Sequence, residues 1–260
     1  MASISGDYST GLVSHWKLEE TGTTDNRVDS AGSNDLTPVN TVPSGTGIQG
    51  NAASFNRANS EYLKITDAAQ SGLDLTGDHT INMWIKRAST NWMGLYSHNY
   101  TDTSGGQLYY NTSNQLQAIY DNGIDLSVAQ TLTVGTWYMI SVTYNDTTKR
   151  LDIWVNGSSI GNATGSGSIA NPTVDFLLGV SRWTGLQGYF DGLIDEVSVW
   201  SRVLSGTDLT AIYNSGSGIP YAAAASGPAS LKTRDTIAKA SVKTIDSIAI
   251  ASVKTIDTIT

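Results

Sequence analysis

The chain has no cysteine, which removes disulfide frameworks, thiolate metal sites and cysteine nucleophiles together. It has no apolar run long enough to cross a bilayer, and its first residues, MASISGDYST, carry neither a basic n-region nor an apolar h-region. Membrane insertion and a secretion leader are therefore not expected from this sequence. Basic residues are few, 15 Lys and Arg against 23 Asp and Glu, for a formal charge of −8. A protein that grips a phosphate backbone needs clustered Lys and Arg, so nucleic acid is not an expected partner. The acidity itself reads as solubility. Long runs with helical spacing are also scarce.

What is plentiful is Val, Ile, Thr, Tyr and Gly, with 39% hydrophobic residues over 260 positions. That is enough for a sizeable core and predicts an all-β sandwich or barrel. The clearest stretch is residues 136–161, TWYMISVTYNDTTKRLDIWVNGSSIG. Tyr138, Ile140, Val142 and Tyr144 alternate with polar residues, as do Leu151, Ile153 and Val155, and period two puts one face of each strand in a core. Asn156-Gly157 suits the two-residue type I′ turn, whose central residues both need positive φ. A three-strand antiparallel meander follows.

Along the rest of the chain, residues 11–20 read as a first strand and 21–43 as a long turn-rich loop of the kind that needs an ordering agent. Short strands are expected at ASF and YLKI, and residues 73–87 give a strand with Ile81, Met83 and Ile85 on one face and Trp84 on the other. Residues 91–120 look irregular and rich in aromatics. Residues 174–180 and 193–200 read as strands, and 205–213 as a short helix with Ser205 as N-cap.

Taken in order, GLVSHWKLEE, DSAGSND, GNAASFN with EYLKI, DLTGDHTINMWIKR, GTWYMISVTYNDTTKRLDIWVNG and GYFDGLIDEVSVWSRVLS resemble the laminin-G-like jelly rolls of the concanavalin A-like lectin/glucanase superfamily, over about residues 9–216. The resemblance implies a two-sheet antiparallel jelly-roll sandwich at 11–217, behind an N-terminal arm at 1–10. It also implies a structural calcium and a role in binding. In this superfamily the calcium commonly ties the loop after the first strand to the start of the last strand, and the matching positions here are Glu20, Asp29, Asn34, Asp35 and Asp195. Calcium takes six to eight oxygen ligands. The alternative is that Asp29 makes an Asx turn and Asp195 is a strand-edge carboxylate.

Glucanases of this fold set their two carboxylates in an E-x-D-x-x-E pattern. The nearest acidic cluster, Asp191, Asp195 and Glu196, lacks that spacing, and His15, His79 and His98 are scattered with no hydrolase motif. The chain is therefore expected not to be an enzyme. Sugar binding in water relies on flat rings with polar neighbours. Trp16, Trp84, Trp137, Trp154 and Trp200 lie in strand patterns and are assigned to packing. Trp92 and Trp183 lie in polar, Gly-rich segments, and the candidate ligand set is Trp92, Tyr96, Tyr100, Arg182 and Trp183, with Asn99 and Asp102 nearby. The alternative is that these rings cap the core or form a subunit contact.

After a small-residue linker at 218–228, residues 229–260 repeat ASLKTRDTIAK, ASVKTIDSIAI and ASVKTIDTIT. A period of eleven can mean a right-handed coiled coil, while the Val, Ile and Thr content favours strands. Three short copies bury a core only by stacking or by pairing between chains, so this segment reads as an assembly or docking element, trimeric for preference, loosely similar to repeats of phage structural proteins. The combined expectation is an adhesin or decoration protein on a virion or cell surface, or otherwise extracellular, whose head binds glycan and whose tail anchors it to a larger particle. Alternatives are a purely structural decoration protein and a secreted carbohydrate-binding module.

Overall fold

The computed structural model describes residues 2–99, 104–183 and 185–221. The chain divides into two units, residues 1–222 and 223–260, and the repeat tail with most of the linker lies outside the described residues. In chain order the first unit has strands β1 (Leu12–Trp16), β2 (Thr37–Val39), β3 (Ser44–Thr46), β4 (Asn51–Phe55), β5 (Tyr62–Ile65), β6 (His79–Arg87), β7 (Met93–Asn99), β8 (Gly105–Tyr110) and β9 (Gln115–Tyr120). There follow β10 (Ile124–Ala129), β11 (Tyr138–Asn145), β12 (Arg150–Val155), β13 (Ser158–Thr164), β14 (Phe176–Leu178), β15 (Ser181–Arg182), β16 (Leu186–Gln187) and β17 (Gly192–Trp200). A helical turn, α1 (Ile4–Asp7), precedes them and helix α2 (Gly206–Tyr213) follows.

The first sheet runs β13-β12-β11-β6-β17-β4-β3, with β1 also on β17, and the second runs β10-β9-β8-β7-β14-β5-β2. The two sheets form the expected antiparallel sandwich. Their inner faces supply the core, in which Ile81, Met83 and Ile85 of β6 meet residues such as Leu95, Leu108, Phe176 and Leu178 of the second sheet. The meander is β11-β12-β13, and Asn156 and Gly157 take φ 53° and 78°, as a two-residue hairpin turn requires.

Trp84 faces the other way, into a second apolar cluster with Met139, Trp200, Leu209 and Ile212. Helix α2 covers this outer face. Its start is fixed by a reciprocal capping box: the Ser205 side chain accepts from the Asp208 N–H, and the Asp208 side chain accepts from the Ser205 N–H. Both ends of the unit also join this layer, since the Ile4 N–H donates to Pro220 O (3.2 Å) and Trp200 Nε1 donates to Tyr8 O (2.7 Å). The folded body therefore extends beyond 11–217 among the described residues, taking in the arm from residue 2 to residue 10 and the start of the linker.

Several expected elements differ. The first strand stops at Trp16, because Leu18 adopts φ 60° and turns its side chain into the core. The irregular region at 91–120 forms three regular strands, interrupted by a bulge between Gly94 and Tyr96. Among the described residues, no helix is long and apolar enough to cross a membrane.

A polar seam crosses the core. His79 packs against Tyr120 (5.8 Å) and Tyr144 (5.3 Å), which also meet each other at 6.1 Å. Its Nδ1 lies 2.8 Å from Gly77 O and its Nε2 3.2 Å from the Tyr120 hydroxyl, which in turn bonds the Tyr96 hydroxyl. The two sheets are thus tied by hydrogen bonds inside the apolar layer. Burial pushes the His79 imidazole from 6.5 down to about 4, because the charged form loses its hydration. Between pH 6.5 and 4 the unfolded chain takes up a proton that the folded chain refuses. His79 thus supports the fold above pH 6.5, and that support fades on acidification through this window. Urea unfolding across it should show a loss on the order of 3 kcal/mol, and His79→Gln should flatten that slope.

Candidate functional site

The loop after β1 is built on Asp29. Its Oδ1 accepts from the N–H groups of His15 (2.9 Å) and Ala31 (3.0 Å), and its Oδ2 from Asn34 N–H (3.0 Å). Asn34 is equally committed, donating to Ser14 Oγ (2.7 Å) and Ser71 O (3.0 Å) while accepting from Ser71 N–H (2.7 Å). Glu20 Oε1 accepts from Val28 N–H, and Asp35 Oδ1 from Asp29 N–H. Arg27, fully buried, donates to the carbonyls of Gly22, Asp25 and Val42 and so ties down the rest of the loop.

Asp195 is also spent. Its Oδ2 accepts from Ile48 and Gln49 N–H (2.7 and 3.2 Å), and its Oδ1 from Glu196 N–H (2.8 Å). Burial, and after it the charge of Glu196, pushes its carboxyl up to about 8. Within the proposed calcium set, Asp29, Asn34 and Asp195 are engaged by hydrogen bonds, while Glu20 keeps a buried Oε2 without a partner. Backbone N–H groups aim their positive ends at the carboxylates a metal would need, and among the described residues no three His, Cys, Asp or Glu side chains gather to hold a metal. In this arrangement the loop's own side chains, Asp29, Asn34 and Arg27 above all, tie it together.

A cluster that sequence spacing did not reveal lies on the outer face of the first sheet. His15 Nδ1 shares a hydrogen bond with Ser198 Oγ (2.7 Å), and its Nε2 lies 3.1 Å from Glu196 Oε2. The β1–β17 register, His15 opposite Ser198, makes this pairing. The composition is that of a Ser-His-Glu triad, but Ser198 is 1% exposed and the Tyr221 ring stacks on His15 at 4.7 Å. Tyr221 is pinned in turn by a hydrogen bond to Ser30 O. A covered nucleophile cannot meet a substrate, so the cluster serves packing.

The tryptophans assigned to a ligand lie on neighbouring elements. Trp92, half-buried just before β7, meets Tyr109 edge-on (5.8 Å) and lies against Gly188, where an added Cβ would come within 2.9 Å of the indole. Arg57 Nη1 donates to Trp92 O (2.9 Å). The Gly94 N–H donates to Gly188 O (2.6 Å), which fixes the end of the β15–β16 hairpin beside β7. Trp183 sits in the turn of that hairpin, its N–H donating to Gly185 O (3.0 Å). Arg182, also half-buried, has an Nε without a partner. Tyr62 packs on Tyr189 at 6.2 Å; its hydroxyl pKa is raised by burial and eased down by Lys64 and Arg182.

Tyr96 does not belong to this set. It is 1% exposed, and its ring stacks near Phe176 (6.3 Å) inside the sandwich. The bulge at its strand turns it inward. Tyr100 and Asp102 lie outside the described residues. Sequence reasoning missed Gln107 and the role of Asn99. Both are buried on the outer face of the second sheet, Gln107 Oε1 accepting from Ser181 Oγ (2.6 Å) and Asn99 Oδ1 from Ser97 Oγ (2.8 Å), while Gln107 Nε2 and Asn99 Nδ2 have no partner. A groove of about 420 Å³ opens at the far end of β6, where Lys86, Asn56 and Asp191 are among its lining residues.

A family model described as the concanavalin A-like lectin/glucanases superfamily matches residues 57–210. Among solved structures, domain 4 of AbnA, an extracellular arabinanase from Geobacillus stearothermophilus solved in complex with arabinotriose, aligns with TM-score 0.57 at 17% identity, over 77% of this chain and 97% of that one. The botulinum neurotoxin serotype D binding domain aligns with TM-score 0.60 at 13% identity, over 80% of this chain and 52% of that one. The type G receptor binding domain aligns with TM-score 0.58 at 16% identity, over 80% and 52%. The chain thus spans about half the length of the toxin domains. No curated protein sequence matches it.

Two measurements check the account of the first loop. Melting temperatures with excess chelator and with calcium should coincide, whereas a rise with calcium would restore the metal. Asp29→Ala, which strands the buried N–H donors of His15 and Asn34 and the part-buried one of Ala31, should cost roughly 3 kcal/mol in either condition.

Proposed function

The chain belongs to the concanavalin A-like lectin/glucanases superfamily, and from that footing we propose that its first unit is a carbohydrate-binding domain without catalytic activity. The observation that carries the reading is the pair of half-buried indoles, Trp92 and Trp183, on segments that β7 and the β15–β16 hairpin bring side by side. Sugars bind by stacking their C–H faces on such rings while fixed donors take up their hydroxyls. Arg57, which holds Trp92 O, Arg182, and Gln107, which bonds Ser181 beside it, supply donors near these rings, whereas Asn99 stands at the other end of β7. The arabinotriose in the arabinanase domain is in keeping with this use of the fold. Catalysis finds no support in the disposition of the acids, because Asp195 is enclosed by N–H donors and Glu196 lies against His15.

An adhesin or decoration role on a virion or cell surface, with the tail oligomerising as a trimer or docking on a larger particle, is the finer proposal. It rests on the eleven-residue repeat at 229–260, whose three copies have too little apolar surface to fold singly.

Replacing Trp92 and Trp183 together by Ala should weaken glycan binding on an array at least about tenfold, the scale of losing one ring contact, with an unchanged far-UV spectrum. Unaltered binding would move the site elsewhere. Light scattering of the full chain and of residues 1–221 should give an oligomer and a monomer respectively; a monomer in both removes the assembly role.

A further inference from the structure

The cations of this acidic chain are unevenly spent. Ten Lys and Arg lie within the described residues. Lys64, Lys149, Arg150 and Arg202 each pair with an aspartate, and Arg27 is enclosed by carbonyls. Of the remaining five, Lys17 stands at the end of β1. The other four, Arg57, Lys86, Arg87 and Arg182, gather around the connections that carry Trp92 and Trp183, and none is in an ion pair among the described residues.

Their surroundings fix these charges in place. Arg57 is held by Trp92 O (2.9 Å). Arg87 is 4% exposed, lies over the Tyr110 ring at 4.6 Å, and has an Nε without a partner. Lys86 reaches along the outer face toward Trp137 (6.0 Å). The acids at this end do not neutralise them. Glu61 is 1% exposed and takes Asn56 N–H (2.5 Å) and Asn59 Nδ2 (2.9 Å), while Asp191 makes no ion pair among the described residues and lines the groove beside Lys86. Arg182 Nε and Gln107 Nε2, the latter on a side chain bonded to Ser181, add buried N–H donors that lack acceptors. Unpaired buried donors cost free energy that a bound acceptor would return.

We infer that the glycan taken at this end carries fixed negative charge, a carboxylate or a sulfate ester, and that Arg182 and Arg57 receive it beside the Trp92 and Trp183 rings. This rests on the glycan reading of the same site. Guanidinium groups suit the task because their planar forks match both anions. On a chain of net charge −8, a local cationic end also repels nothing that an acidic sugar brings, and it steers that sugar toward one face.

The test is a glycan array of the full chain with neutral, uronate-bearing, sialylated and sulfated saccharides, followed by titration of the best ligand at rising salt. Binding confined to acidic saccharides, weakened about tenfold or more in Arg182→Gln and falling with salt, is the expected result. The uronate, sialylated and sulfated arms then tell the two anions apart. Arg57→Gln tests the second contact, with melting temperature as a check that the Trp92 segment stays folded. Binding of neutral saccharides that neither salt nor Arg182→Gln disturbs would overturn the charge inference and leave the glycan reading standing. Absence of binding to every saccharide would overturn both.

Discussion

A sandwich of two sheets imposes one demand on everything between and around its layers: each polar group removed from water must find a partner. Most of this chain meets that demand with its own atoms. Asp29 satisfies three N–H groups of a loop with little regular structure, and Arg27 closes on three carbonyls of the same loop. Asp195 holds the turn between β3 and β4, while His79 and the tyrosines span the core. These side chains do the ordering that a cation does where carboxylates stand free. A carboxylate cannot serve both a ring of N–H donors and a calcium ion through the same lone pairs.

The parts of the fold that were legible in the sequence are those governed by local chemistry. Asn156-Gly157 announces its turn because few other dipeptides tolerate two positive φ values, and Ser205 announces α2 because its hydroxyl and Asp208 answer each other across one turn. The alternation in β6 and β11 shows which face is inward. What stayed hidden depends on partners distant in sequence. Tyr96 lies in an aromatic-rich stretch and reads as a rim residue, yet a one-residue bulge sends it into the core. The pairing of His15 with Ser198 follows from the β1–β17 register, which no spacing along the chain discloses. Asp29 and Asp195 stand out in the sequence as candidate calcium ligands, but whether a carboxylate organises a loop through a metal or through N–H groups is decided only by where the backbone comes to lie.

For the candidate site, Trp92 and Trp183 were recognisable as rings outside the strand pattern. Their neighbourhood was recognisable only in part, because Gly188, Gly94 and Arg57 meet Trp92 through tertiary contacts. Gly188 shows how the local and the distant combine. Its positive φ of 63° and the indole lying over its Cα each exclude a larger side chain, so a residue that in sequence looks like one more loop glycine decides how closely the hairpin can approach the Trp92 segment.

The same demand for partners separates structure from function in this molecule. At Asp29, Asn34 and Glu61 the fold uses the polar group for itself, and its main hydrogen-bonding capacity is taken up. Of the buried donors left without acceptors, Gln107 Nε2, Arg182 Nε and Arg87 Nε fall in the part of the sandwich that also carries the half-buried indoles and the cations without an ion pair among the described residues. Unmet hydrogen-bonding capacity and unmet charge are each unfavourable to the isolated fold, and both are relieved by a ligand rich in acceptors. Flat rings alone would serve a subunit contact or a core cap equally well. Flat rings beside unsatisfied donors and unpaired arginines favour a hydroxylated, negatively charged molecule over another protein surface, whose burial against this end would strand the same groups again unless it brought acidic side chains in matching positions.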